Sequence, residues 1–362
     1  MTGLACSSPA RAEVPRPLPD GATGWQEAGN GAVRGITVGP IESSQLTGRG
    51  YGTAYSEALL DELQRLGVNW ISVTPFGRLW SLSSTVIERD FEAPFQQNQR
   101  AIERMIEQAH ARGMKVLLIP HLWVETGGWR GEVDPGSPAG WLRYQDAYRA
   151  FVLDWAEVSA RAGADAFSIG VECKSWSGRF APFWKSLIRA VRAQFHGVLT
   201  YSANWDEAEQ VVFWSELDLI GINAFYPLAS HPGATYAEYL DGARRARDNV
   251  KKLSDAIELP VLFVEVGYTT RRDAAIEPWL WPDDMTDVVY DEHEQARALA
   301  AVLELFVPEP WFAGLFVWRY YADLDDVSQE HAWGFSPHAK PAERVLEQAF
   351  GWDWGSDTAM KY

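Results

Sequence analysis

The 362-residue chain has only two cysteines, Cys6 and Cys173, which excludes a disulfide framework and a cysteine-based metal site. It is also short of positive charge. Against 49 Asp and Glu stand 32 Lys and Arg, for a net charge of −17. Such a surface repels phosphate backbones, so no nucleic acid is expected as a partner. No apolar run approaches the roughly 20 residues that a membrane-spanning helix needs, so no membrane span is expected. The first strand is not followed by G-x-G-x-x-G, and there is neither a P-loop nor an H-E-x-x-H. Nothing therefore points to a nucleotide or a zinc ion, and no cofactor and no metal are expected. Tryptophan is abundant instead: 18 Trp, with 13 Tyr and 16 Phe. A flat apolar ring matches the C–H face of a pyranose, so aromatics at this density either fill a core or face sugars.

The N-terminal residues carry neither a charged n-region nor an apolar h-region before Cys6. Leu4-Ala5-Cys6 followed by Ser7-Ser8-Pro9 resembles the end of a bacterial lipoprotein signal, whereas the plainer reading is a tail with an incidental cysteine. Two locations stay open: exported or lipid-anchored at Cys6, or cytoplasmic. Three prolines and two glycines between Pro15 and Gly24 read as a linker. The expected organisation is a tail over 1–24, one domain over 25–355 and a short tail over 356–362.

From about residue 33, apolar strand-like runs alternate with helical patterns. The runs begin at Val33, Val68, Lys115, Ala166, Val198, Leu217, Val261 and Gly314. Helices are expected over 53–66, 98–112, 141–162, 183–195, 236–256, 292–306 and 341–350, with a short one near Glu207 to Trp214. Continuous apolar strands joined by helices imply a parallel sheet covered on both faces. Eight such units in about 320 residues fit a single-domain α/β (β/α)8 TIM barrel.

In such a barrel the chemistry sits at the C-terminal ends of the strands. Two of those ends carry carboxylates, Glu172 on the fourth strand and Glu265 on the seventh. A glutamate closing the run Val261-Leu262-Phe263-Val264 has little reason to be there for stability, because burying it is costly. Two carboxyl groups facing each other across a barrel mouth are what glycoside hydrolysis requires, one as acid and one as nucleophile. The plainer reading pairs each glutamate with an arginine such as Arg78 or Arg319. Trp279 and Trp281 flank a proline-containing loop after the seventh strand, where core packing explains them less easily than a sugar surface does.

Glutamates ending strands four and seven resemble the signature of the glycoside hydrolase clan A barrels. Pro120-His121-Leu122-Trp123, Gly128-Trp129-Arg130-Gly131, Ile169-Gly170-Val171-Glu172, Tyr201 to Asp206, Ile220 to Leu228 and Phe263 to Tyr268 are similar to segments of the family 113 β-mannanases. This likeness spans residues 33–350. It implies a cofactor-free, retaining, endo-acting hydrolase of β-1,4-mannan, with a polysaccharide or oligosaccharide as its partner. Glu172 would be the acid/base and Glu265 the nucleophile. Trp318 would form the sugar platform, and the Tyr226 hydroxyl would orient the nucleophile. Arg78, His121, Trp129, Arg130, Asn204, Trp205, Asn223, Tyr268 and Trp281 complete the expected substrate-binding set.

Two positions depart from the pattern. Many clan A barrels have Asn before the acid/base, where this chain has Val171. Arg319 puts a charge where another aromatic is expected, either to select a decorated sugar or to pair with a nearby acid. Rival readings are a β-glucanase or β-mannosidase of the same clan, or a non-catalytic carbohydrate-binding scaffold. Asp291-Glu292-His293-Glu294 reads as an acidic helix start rather than a metal site. Asp323-Leu324-Asp325-Asp326 and Asp283-Asp284 read as solvated loops, because a calcium loop needs a glycine and a distal glutamate. Cys173 reads as a small packing residue.

Overall fold

A computed structural model describes residues 32–39, 48–90, 93–324 and 330–351. Cys6, both terminal tails, Asp325 and Asp326 lie outside the described residues. In chain order the strands are β1 (Val33–Gly39), β2 (Trp70–Val73), β3 (Phe76–Leu79), β4 (Lys115–Leu118), β5 (His121–Val124), β6 (Ala166–Val171), β7 (Val198–Asn204), β8 (Ile220–Asn223), β9 (Val261–Val266) and β10 (Phe312–Tyr321). The helices are α1 (Ala54–Arg65), α2 (Phe95–His110), α3 (Pro138–Ala162), α4 (Lys174–Ser177), α5 (Ala181–Arg192), α6 (Tyr236–Ile257), α7 (Glu292–Phe306) and α8 (Pro341–Gly351).

Eight of the strands close into a parallel barrel in the order β1-β2-β4-β6-β7-β8-β9-β10, with β10 returning to β1. This is the expected single-domain (β/α)8 barrel. Local chemistry sets the helix ends. The Ser137 hydroxyl accepts a hydrogen bond from the Gly140 amide (3.0 Å) and Pro138 opens α3, while Gly163 closes it at φ +74°. Asp291 caps α7 by accepting from the His293 amide (3.0 Å), as its acidic start suggests.

Alternating burial divides each strand between two cores. Leu117, Leu262 and Val264 belong to a cluster with Val33 and Phe316, whereas their neighbours Val116, Leu118 and Phe263 pack in the larger cluster beneath the helices. The smaller cluster therefore fills the barrel interior, which is packed rather than hollow. Val171 belongs to it.

Two features depart from the expected alternation. Between β7 and β8 there is no α-helix, only the one-turn segments Ala208–Gln210 and Trp214–Glu216. Phe213 and Trp214 are buried there, and Phe213 stacks on Trp184 at 4.6 Å, itself 4.3 Å from Trp176. Large rings fill the layer that a helix would otherwise occupy. In addition, extended chain resumes beyond Pro75 and Pro120, past the ends of the barrel strands β2 and β4. There it forms a separate two-stranded parallel sheet, β3 with β5.

Gly221 on β8 shows how tight the barrel wall is. An added Cβ would overlap the Tyr201 carbonyl and come within 2.8 Å of Val264. Gly221→Ala is expected to lower stability by about 1–3 kcal/mol, read as a lower thermal midpoint with the fold retained.

Candidate active site

Glu172 follows β6 directly and is buried, with its backbone in the left-handed region at φ +50°. A non-glycine residue pays strain there and persists only where its surroundings hold it. Here the Glu172 amide donates to the Ser202 carbonyl (2.8 Å), and the next amide, of Cys173, donates to the Tyr201 hydroxyl (2.6 Å). The turned carboxylate then meets three donors. Trp129 Nε1 and Arg130 Nη1 both reach Oε2 at 2.7 Å, and Asn223 Nδ2 reaches Oε1 at 3.0 Å. Arg130 is anchored in turn through its Nε on the Leu122 carbonyl (2.8 Å).

Glu265 lies on β9 in an opposite setting. It is buried, and Oε1 has no hydrogen-bond partner. Burial, then the charge of Glu172, push its carboxyl up to about 8, against the opposing pull of Arg130 and Arg319. His121 Nε2 lies 3.3 Å from Oε1, too poorly aligned for a hydrogen bond. Burial, helped by Arg130 and Arg319, holds His121 well below its ordinary value, so the ring is neutral near pH 7. In strand register Asn223 pairs with Glu265, while its side chain binds Glu172. The two carboxyl groups thus share a neighbour. Both His121 nitrogens, Glu265 Oε1 and Asn223 Oδ1 are buried polar atoms without a protein partner. Buried polar groups are normally satisfied, so this cluster is shaped for a polar ligand.

Aromatic rings wall the site. Trp318, on β10, stacks on His121 with centroids 6.1 Å apart and planes 19° apart. Trp205 and Trp279 stack on each other at 5.5 Å.

Residues 44–340 match the model of Glycoside Hydrolase Family 113. The chain belongs to glycoside hydrolase family 113. It is similar to the family 113 β-mannanase AaManA of Alicyclobacillus acidocaldarius, solved in complex with ManMIm, at 27% identity and a TM-score of 0.77, covering 88% of this chain and 97% of that one. A second solved family 113 β-1,4-mannanase, in a complex, shares 21% identity at a TM-score of 0.75, covering 88% and 99%. The family 5 mannosidase of Rhizomucor miehei (E301A mutant), at 8% identity and a TM-score of 0.66 over 88% and 92%, shares the fold. No curated protein matches the chain at the level of sequence.

In this family 113 hydrolase the expected site residues divide into two groups. Glu172, Glu265, His121, Trp129, Arg130, Asn223 and Trp318 converge around the carboxyl pair. Trp129 is a hydrogen-bond donor to Glu172, not only an apolar face. Trp205 lies against Trp279 and Tyr226, and Trp281 lies under the Arg319 guanidinium at 5.0 Å.

Others sit elsewhere. The Tyr226 hydroxyl makes no hydrogen bond to Glu265. Its ring packs on Phe263, whose neighbours Phe306 and Phe312 lie in the layer beneath the helices. Tyr268 is fully buried and donates to the Tyr226 carbonyl (3.0 Å), so it ties two loops together. Asn204 gives its side-chain amide to Asp206 (2.8 Å). Arg78 pairs with Glu88 and Glu125, and neither Arg78 nor Arg319 pairs with Glu172 or Glu265.

Arg319 is accounted for within the chain. It donates to the Tyr321 hydroxyl from Nη2 (2.6 Å) and Nε (3.1 Å), and Tyr321 donates to Glu330 (2.8 Å). Val171 points into the packed barrel interior, and the amide at Glu172 comes instead from Asn223 on β8. Cys173 is buried and its thiol is pushed up to about 12, first by burial, which suits a packing residue.

One acid was not expected. Glu207 is fully buried, accepts from the Tyr201 hydroxyl (2.5 Å) and from the Asn204 amide (2.9 Å), and is pushed up to about 7, mainly by burial. It braces Tyr201, which in turn holds the Cys173 amide beside the strained Glu172. No apolar strand surrounds Glu207 in the sequence, so nothing there marks it as buried.

Two outcomes follow. Folding raises the Glu265 carboxyl above its unfolded value, so the native state binds the extra proton and stability is lost as pH rises from about 4.5 to about 8. Relative to the parent, Glu265→Gln should therefore gain on the order of 3 kcal/mol between pH 5 and pH 8, measured by denaturant unfolding at both. Tyr201→Phe removes the link from Glu207 to the Cys173 amide and should cost about 1–3 kcal/mol of stability by the same measurement, with a several-fold loss of activity.

Proposed function

We propose that this family 113 hydrolase is a retaining endo-β-1,4-mannanase acting by double displacement, with Glu172 as acid/base and Glu265 as nucleophile. The observation that carries this reading is the pair of buried carboxyl groups on β6 and β9, sharing Asn223 as a neighbour and bordered by unpartnered polar atoms and Trp318. The substrate is taken from the solved β-mannanases that the chain resembles.

In the first step Glu265 attacks the anomeric carbon as the glycosidic C–O bond breaks, and Glu172 gives its proton to the departing oxygen. In the second, Glu172 takes a proton from water as the water oxygen attacks the same carbon and releases Glu265. Trp318 would lie against the apolar face of the sugar. Neutral His121 and Asn223 have free polar atoms for its hydroxyls.

In the ligand-free site Glu265 is the group pushed toward its protonated form, first by burial and then by the charge of Glu172. The proposed roles need the proton on Glu172. Substrate binding must reverse the order, and the charge of the pair as a whole stays the same. The Glu265 carboxyl, pushed up to about 8, loses its proton above that pH.

The decisive measurement is reducing-sugar release from β-mannan, glucomannan, cellulose and xylan, with Glu172→Ala and Glu265→Ala in parallel. Release from the mannans that falls by several orders of magnitude in both variants is the expected result. Azide added to each variant separates the roles, since rescue with retained configuration marks the acid/base and rescue with inverted configuration marks the nucleophile. Release from cellulose or xylan alone would assign a glucanase or another clan specificity. No release by folded protein would leave a carbohydrate-binding scaffold. The plot of kcat/KM against pH should be bell-shaped, with its alkaline limb falling near pH 8.

A further inference from the structure

The β3–β5 sheet neither closes the barrel nor holds the carboxyl pair. In its parallel register Phe76 stands opposite His121 and Arg78 opposite Trp123. The ladder continues past both strands, with the Glu125 amide on the Leu79 carbonyl (2.9 Å) and the Thr126 amide on the Trp80 carbonyl (3.0 Å). Strand side chains alternate between faces, so Phe76, Arg78 and Trp80 share a face with His121, Trp123 and Glu125. Burial agrees. Leu79, Leu122 and Val124 are buried on the other face, whereas Trp123 is 44% and Trp80 is 70% exposed.

This face is continuous with the active site. It starts at His121, beside Glu265 and stacked on Trp318. The Phe76 ring lies 5.2 Å from His121 and 6.5 Å from Trp123. Arg78 and Glu125 follow, paired at 3.5 Å, and Trp80 ends the strip. From His121 to Glu125 the strand advances ~13 Å outward from the carboxyl pair. Core packing does not account for two exposed indoles on one short face. The Arg78 charge is met by Glu88 and Glu125, so the strip suits a neutral chain rather than an acidic one.

We propose that this face is an extended glycan-binding strip that carries a neutral β-linked polysaccharide away from the cleavage point. Trp123 and Trp80 stack on successive parts of the chain, and Arg78 with Glu125 hydrogen-bonds hydroxyls between them. The inference rests on Glu172 and Glu265 marking the cleavage point. It adds where the uncleaved length of substrate lies and accounts for action within long chains.

The test compares kcat/KM on mannohexaose and mannotriose for the parent enzyme, Trp123→Ala, Trp80→Ala and the exposed control Leu142→Ala. The expected result is a hexaose-to-triose ratio reduced about tenfold in Trp123→Ala and several-fold in Trp80→Ala, with the control ratio unchanged. Unchanged ratios in both tryptophan variants, or equal losses on the two substrates, would overturn the strip. An enzyme that cleaves neither oligosaccharide would sink the mannanase reading alone. The strip is then read by affinity electrophoresis in soluble glucomannan, xylan and mixed-linkage β-glucan. Retardation of the parent that the doubly substituted Trp80→Ala, Trp123→Ala protein lacks supports the strip, and equal mobility in all three gels overturns it.

Discussion

Everything in this site depends on burying two carboxyl groups side by side at the mouth of a packed barrel. Two negative charges cannot be buried together cheaply, and the protein resolves the conflict by treating them unequally. Glu172 receives three donors, one of them the Arg130 guanidinium. Glu265 receives none and is pushed up to about 8. One negative charge and one proton result, which is the complement that acid-assisted displacement needs. The left-handed turn at Glu172 is the backbone side of the same solution. It aims the carboxylate at its donors, and Tyr201 and Glu207 hold it there.

The tryptophan surplus separates into two kinds of work. Trp155, Trp176, Trp184 and Trp214 are fully buried and fill the layer between barrel and helices, most densely where a helix is missing after β7. Trp279, Trp123 and Trp80 stand exposed beyond the strand ends, where rings that no core needs remain open to a ligand, while Trp318 is buried with Phe225 and Phe335 and borders the carboxyl pair through His121. Trp129 belongs to neither kind, because its indole N–H fixes a carboxylate. The acidic surface is consistent with this division, since a neutral polysaccharide neither requires nor resists net negative charge.

Much of this was legible in the chain. Periodicity placed helix α7 over 292–306, and it began α6 at the right residue, because long amphipathic segments with capping residues carry their own signal. Glu265 stood out because four apolar residues precede it. The helix expected near Glu207 failed because Phe213 and Trp214 are held by rings from α5 and β7 rather than by a helical repeat of their own. The resemblance to the family 113 β-mannanases implied that the Tyr226 hydroxyl would reach Glu265. Its ring turns the other way to pack on Phe263, and sequence position alone does not say which.

The amino-acid sequence by itself determined the barrel, most of its strands and helices and the two glutamates at its mouth, because strand period, helix caps and the cost of burying a charge are local properties. The tertiary structure alone decided the states of those glutamates. Arg130 lies 42 residues from Glu172 and Asn223 lies 51 residues from it, yet their hydrogen bonds to it leave Glu265 without donors. Which carboxyl group keeps a proton depends on contacts that only closure of the barrel creates.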